Sequence, residues 1–275
     1  MTHENADEIT ELGLSFNIMI GKIRELLAAK MKEQEELKKA ELKALQAQIN
    51  PHFLYNTLDT IIWMAEANKK DHVVELVSAL SQFFRISLSK GRDWITIADE
   101  VEQTRSYLTI QKMRYQKILD FHIDLADEAA ANTILKLTLQ PLVENALYHG
   151  IKHKRGGGTI WVRARMKNAS EIQIEVEDDG IGFTPEKLAQ VRAELANDDG
   201  ASPMDSGFGI GNVHRRLKLY YGPQYGLSIH SAYHTGTRVT LTIPSQVRAE
   251  AEKPELAPRM GWPEPIRTNL RGDPA

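Results

Sequence analysis

The sequence predicts a helical first part followed by an α/β part in which helices cover a sheet. Up to about residue 118 the apolar residues recur at three- and four-residue steps, the period of a helix. From Leu119 onward they alternate at every second position, the period of a strand. Helix-period runs then reappear between the alternating ones, the mixture that a covered sheet produces.

The elements follow in chain order. Ile9, Leu12, Phe16, Met19, Ile23 and Leu26 form a coiled-coil seam. Lys30 to Lys43 interleaves lysine and glutamate, a solvated helix face, before the seam returns at Leu42, Leu45 and Ile49. Pro51 lacks an amide hydrogen, so the helix is expected to bend just before His52. A second helix is expected from Val73 to Leu88, with Val73, Val77, Leu80, Phe84 and Leu88 on one side. A third should run from Glu100 to Lys117 behind an Asp99 N-cap, so that the first part is all helix.

Strands are expected at Phe121 to Leu125, Ile160 to Ala164, Ile172 to Val176, Leu227 to Ser231 and Arg238 to Ile243. Helices are expected at Thr133 to His149, Pro185 to Leu195 and Ile210 to Tyr220. From Ser245 to Ala275 the periodicity ends in proline and charge, and a disordered tail is expected there.

Composition limits the chemistry. The 275 residues hold no cysteine, which excludes disulfides, thiolate metal sites and a cysteine nucleophile. The formal net charge of -3 argues against a direct nucleic-acid footprint. No run approaches the roughly 20 apolar residues of a membrane span, and the polar start lacks the regions of a signal peptide.

Three polar and glycine clusters follow one another in the second part. LVENALYHG, residues 142–150, offers the Asn145 carbonyl as a hard oxygen ligand for a magnesium ion that also holds nucleotide phosphates. VEDDGIGF, residues 176–183, offers the Asp178 carboxylate to an exocyclic amine, with Gly180 and Gly182 allowing the backbone to turn close beneath a base. SGFGIGNVHRRL, residues 206–217, sets Gly207, Gly209 and Gly211 before or within the start of a helix, where bare amides suit a triphosphate. Gly236 and Thr237 are a fourth, weaker element. The second and third clusters have plain alternatives, an acidic turn and a flexible loop.

In this order the clusters resemble the nucleotide-binding boxes of the GHKL superfamily, over roughly Thr133 to Pro244. The resemblance implies a Bergerat-type α/β sandwich that binds ATP and Mg2+. Asn145 would hold magnesium, Asp178 would read adenine, and Gly207, Gly209 and Gly211 would hinge a lid between about Thr184 and Ser206. His149 and Lys152 join the expected nucleotide-binding residues, His149 with a packing role equally open.

Upstream, QINPHFLYNTL, LSQFFRISL and EVEQTRSYLTIQKMRY resemble the LytS/YesM type of sensor histidine kinase. That resemblance implies a helical dimerisation and phosphotransfer region and makes His52 the phosphoacceptor. A neutral imidazole has a lone pair for in-line attack on the γ-phosphate. Many histidine kinases place a carboxylate directly after the acceptor, whereas Phe53 stands here. Asn56, one turn on, could contact the imidazole instead, and Glu144 is a candidate general base.

DEITELGLSFNIMIGKIREL is similar to the second helix of a HAMP linker. The expected organisation is therefore 1–30 HAMP-like helix, 31–118 dimerisation and phosphotransfer, 119–245 ATP-binding domain and 246–275 tail. The expected partners are a second copy of the chain and the receiver domain of a response regulator. The chain would be the cytoplasmic portion of a protein anchored in the membrane through segments preceding it. Two alternatives remain at this stage: a non-kinase GHKL ATPase and a nucleotide-free dimeric scaffold.

Overall fold

A computed structural model describes residues 51–87, 93–196 and 209–247, with the isolated positions 19, 22 and 30. Apart from those isolated positions, the coiled-coil seams and the HAMP-like helix lie outside the described residues, as do the bend before His52, Gly207 and the tail beyond Val247. So does the second half of the expected lid, 197–206. The chain divides into two compact units, residues 1–63 and 64–275.

Helix α1, Pro51–Glu66, opens the described chain. Met64 N-terminal to its end is fully buried, while Asn68 takes a positive φ of 56° in the turn that follows. Helix α2, Lys70–Ser87, buries Leu76, Phe83 and Ile86. This differs from the expected face: Val73, Leu80 and Phe84 are only half-buried and Val77 is exposed. The buried side is offset by about one position because α2 packs along the next long helix.

That next helix, α3 (Ile97–Arg114), begins three residues before the expected start. Thr96, not Asp99, is the N-cap, and its hydroxyl accepts the Asp99 amide at 3.0 Å. Strand β1, Trp94–Thr96, runs directly into it, so the first part is not all helix. Helix α3 is buried on nearly every side, including Glu100, Gln103, Thr104 and Gln111. A helix enclosed all round shows little amphipathic contrast.

Strand β2 (Leu119–Leu125) and the short helix α4 (Asp127–Ala130) follow. The expected helix from Thr133 to His149 is three structures instead. Strand β3, Thr133–Leu135, pairs antiparallel with β1. Leu137 then turns with φ 59°, and helix α5 occupies Gln140–Asn145 with Pro141 at its start. It widens into a π-helical turn at Ala146–Gly150 and tightens to a 3-10 turn at Ile151–His153.

The remaining elements match the expected periodicity closely. They are β4 (Gly158–Asn168), β5 (Glu171–Asp178), helix α6 (Pro185–Ala196), helix α7 (Ile210–Tyr221), β6 (Gly226–Ala232) and β7 (Gly236–Pro244). The main sheet has the order β2-β4-β5-β7-β6, with β2 parallel to β4 and the other neighbours antiparallel. One face carries Ile160, Val162, Ile172, Ile174, Val176, Val239, Leu241 and Ile243, all buried. The other carries ion pairs such as Arg163–Glu177 at 2.6 Å and Arg238–Glu177 at 2.7 Å. Alternation at period two thus separates a dry face from a wet one.

The fold extends past its last strand. Gln246 offers its carbonyl to both the amide and the hydroxyl of Thr133, at 2.8 and 3.0 Å. Residue 246 is therefore structured, and the expected tail boundary moves at least to Val247.

Candidate active site

Register fixes the floor of a cleft on the dry face of the sheet. Val176 and Asp178 of β5 stand opposite Val239 and Thr237 of β7, so two apolar and two polar side chains form one patch. Helix α5 and its π-turn supply Leu142, Asn145, Ala146, His149 and Gly150 to the wall, and Ile210 of α7 closes it. Gly182 and Phe183 complete the lining, around about 390 Å³ of free space including the mouth.

Asp178 is the buried charge of this cleft, 6% exposed. Its Oδ1 accepts the Gly180 amide at 2.8 Å, and the Thr237 amide also donates to its carboxylate. Burial outweighs these donors, with Asp179 and Glu177 adding repulsion, and pushes the carboxyl up to about 7. The backbone crowds it closely. A Cβ on Gly180 would lie 2.4 Å from the Gly150 carbonyl carbon, so only glycine fits there. Gly236, at φ 122°, would bring a Cβ within 1.9 Å of the Asp178 carbonyl oxygen.

Asn145 donates through Nδ2 to the Pro141 carbonyl at 2.8 Å, one turn back. That bond leaves Oδ1, the hard oxygen, for the cleft. His149 lies one turn further on at the exposed rim, where partial burial and then nearby His153 lower its pKa and favour the neutral ring. Thr237 shares its hydroxyl with Ser231 Oγ at 2.9 Å, and Ser231 also accepts the Phe183 amide at 2.9 Å. Ser231 had no sequence signal: it is one small polar residue in an alternating strand.

Other expected residues lie elsewhere. Glu144 turns from the cleft and accepts Gln140 Nε2 at 2.9 Å; burial raises its pKa. Lys152 sits on the surface over the rings of Tyr115 and Tyr148, at 5.1 and 4.8 Å, and does not line the cleft. Gly209 is the N-cap of α7 in ordinary right-handed geometry, where a Cβ would meet Pro141 at 3.1 Å. Gly211 is buried within α7, so among the described glycines of this cluster neither has the φ of a glycine hinge. The first half of the expected lid is ordered as α6, whose Arg192 donates to the Ile229 carbonyl at 2.9 Å.

In the other unit, His52 is exposed on α1, next to the buried Phe53 and ahead of the buried Thr57. Thr57 Oγ1 donates to the Phe53 carbonyl at 2.7 Å. Asn56 Nδ2 donates to the His52 backbone carbonyl, so the amide serves the helix rather than the imidazole.

Residues 40–119 match the family model described as histidine kinase, and residues 134–247 match that of the histidine kinase-, DNA gyrase B- and HSP90-like ATPases. Sensor histidine kinase YesM of Bacillus subtilis (strain 168) is 38% identical over 238 residues, which is 86% of this chain and 39% of YesM. Sensor histidine kinase BtsS of Escherichia coli (strain K12) is 32% identical, over 84% of this chain and 39% of BtsS. YwpD of Bacillus subtilis is 33% identical over 88% of this chain and 83% of its own length. The chain thus spans about two fifths of the length of the two named kinases.

Proposed function

Because the chain belongs to the histidine kinase family, we propose that it binds ATP in the cleft and transfers the γ-phosphate to His52. The observation that carries this reading is the convergence of Asn145, Asp178, Gly182 and Thr237, far apart in sequence, on a single cleft.

The donor set fits a magnesium nucleotide. Asp178, with Thr237 beside it, presents a buried acceptor to the adenine amine. The valines at 176 and 239 and Ile210 enclose the flat faces of the base. Asn145 Oδ1 is a neutral oxygen of the kind magnesium takes together with phosphate oxygens. When bound, the ion would offset charge on the transferring phosphoryl group.

His52 then supplies the nucleophile. A ring nitrogen forms the new N–P bond as the bond between the γ-phosphorus and the bridging oxygen breaks, and ADP leaves. The proton on the attacking ring passes to solvent or to a base of the assembled kinase. Exposure of His52 supports this role, because an acceptor must reach both a nucleotide and a partner. A carboxylate of a response regulator receiver domain is the proposed next acceptor.

Two protomers are proposed to assemble through the helices. Val74 and Val77 of α2 are 66% and 47% exposed, and Tyr55, Leu58 and Ile62 form an exposed helical stripe on α1. Apolar faces of this kind are consistent with burial against a second copy.

Incubation with γ-labelled ATP and magnesium tests the reading. The label should resist base, be lost in acid and map to His52. His52→Gln should bind magnesium-ATP normally yet acquire no stable label. Acid-labile phosphate on the glutamine variant would move the acceptor to another histidine.

A further inference from the structure

Helix α5 presents Asn145, yet its own sequence does not cap it. Its N-cap, Leu139, has no side-chain oxygen, and the chain enters the helix through a left-handed Leu137. The amides of this turn are satisfied from elsewhere. Glu100 of α3, 1% exposed, accepts Thr138 and Leu139 through Oε1, both at 2.7 Å, and Leu137 through Oε2 at 3.0 Å. One carboxylate thus holds three consecutive backbone amides.

The same turn is gripped from two further helices. Arg216 of α7 donates to the Lys136 carbonyl, and Lys136 Nζ donates to the Ser87 carbonyl at the end of α2. Gln103 of α3 joins this junction by donating to Ser87 Oγ at 2.8 Å. A buried carboxylate is costly unless well paired, and three amides at a helix start are a strong partner set.

From this turn the geometry leads to the metal ligand in two steps. Pro141 opens α5, and its carbonyl takes the Asn145 amide at 2.8 Å. Any shift of residues 137–139 shifts Pro141 and re-aims Oδ1 of Asn145. Asp178, on β5, has no bond to this turn.

We infer that Glu100 is a positioning residue for the magnesium end of the nucleotide site, acting through the Leu137–Leu139 amides on Asn145. This rests on the proposed role of Asn145 in holding a magnesium nucleotide. Glu100 touches neither nucleotide nor metal; it sets the place of the helix that does.

The test is a calorimetric cycle on the full chain with ATP, in magnesium and in EDTA. The wild type defines the magnesium-dependent gain in affinity, and its absence there would sink the nucleotide reading itself along with this inference. Given that gain, Glu100→Gln, which keeps size but sets an NH2 group against an amide hydrogen, should cut it about tenfold or more. Affinity in EDTA should change by less than about twofold, since Asp178 is undisturbed. In an Asn145→Ala background, Glu100→Gln should remove nothing further. Equal losses with and without magnesium, or a full additional loss in the alanine background, would reduce Glu100 to general scaffolding and overturn the proposal, as would an unchanged gain. Glu100→Asp, which keeps the carboxyl group one methylene short, carries the same cycle if the glutamine variant does not fold.

Discussion

Replacing Asp178 by asparagine should weaken the nucleotide site while strengthening the empty fold at alkaline pH. The carboxyl titrates near about 7 in the folded chain because burial disfavours its charge, against 3.8 for an ordinary aspartate. Between these values the native state keeps a proton that the unfolded chain has released. Stability is therefore full below 3.8 and is lost as pH rises through about 7. At about 1.4 kcal/mol per pH unit the loss is on the order of 4 kcal/mol. Asparagine does not titrate, but its NH2 group cannot accept an amide hydrogen, which costs about 1–3 kcal/mol. The net gain at pH 8 is on the order of 1–3 kcal/mol, or several degrees in melting temperature. Affinity moves the other way. In the proposed site the adenine amine favours the ionised carboxylate, so wild-type affinity for ATP should rise up to about tenfold from pH 6 to pH 8. The asparagine variant should bind about 10- to 100-fold more weakly at pH 8 and lack that rise. The nucleotide's phosphates titrate in both proteins, so the difference in slope belongs to Asp178. Calorimetry and thermal melts at both pH values decide it. A variant that melts below wild type at pH 8, or keeps the wild-type pH slope, would refute the reasoning.

Asn145→Ala should abolish the magnesium-dependent gain in ATP affinity and leave binding in EDTA within about twofold, because it removes the hard oxygen and leaves Asp178 in place. Truncation after Val247 should leave the melting temperature unchanged. Truncation after Pro244 should lower stability by about 2–4 kcal/mol in denaturant titrations, since it removes the bonds of Ser245 to Ser170 and Asn132 and those of Gln246 to Thr133. Gly236→Ala should cost more than about 3 kcal/mol and take nucleotide binding with it, because the new Cβ strikes the Asp178 backbone. Gly156→Ala is its control: φ is 91° but nothing lies within 4 Å, so only strain of about 1–2 kcal/mol should appear.

Much of the cleft was legible because its chemistry is local. Asp178 ends a strongly alternating strand, Gly180 and Gly182 follow at once, and Asn145 sits one turn from His149 on an apolar helix face. Such signals need no knowledge of what lies across the sheet. The five main strands and helices α6 and α7 were legible for the same reason, since each alternation or helical repeat lies within a single segment. Lys152 and Glu144 were harder. Proximity in sequence to Asn145 suggested a general base in Glu144 and a nucleotide contact in Lys152, but helical rotation turns Glu144 toward Gln140, and two aromatic rings take Lys152.

The largest departure, Thr133 to Gln140, shows what a single segment cannot disclose. Ile134, Leu135, Leu139 and Leu142 have helical spacing, so a continuous helix was the natural reading. Three residues pair instead with Trp94–Thr96, and a leucine takes φ 59° where local preference favours glycine or asparagine. Both features depend on groups some forty positions away. The Glu100 carboxylate satisfies the turn's amides, and β1 supplies a partner for β3. Local propensity is worth tenths of a kcal/mol per residue, whereas leaving three amides buried and unpaired would cost several kcal/mol. The long-range acceptor therefore decides the backbone, and the helix that carries Asn145 starts where Glu100 allows it. In this stretch the fold and the site share one cause, which is why the sequence periodicity misread the turn that the proposed magnesium ligand depends on.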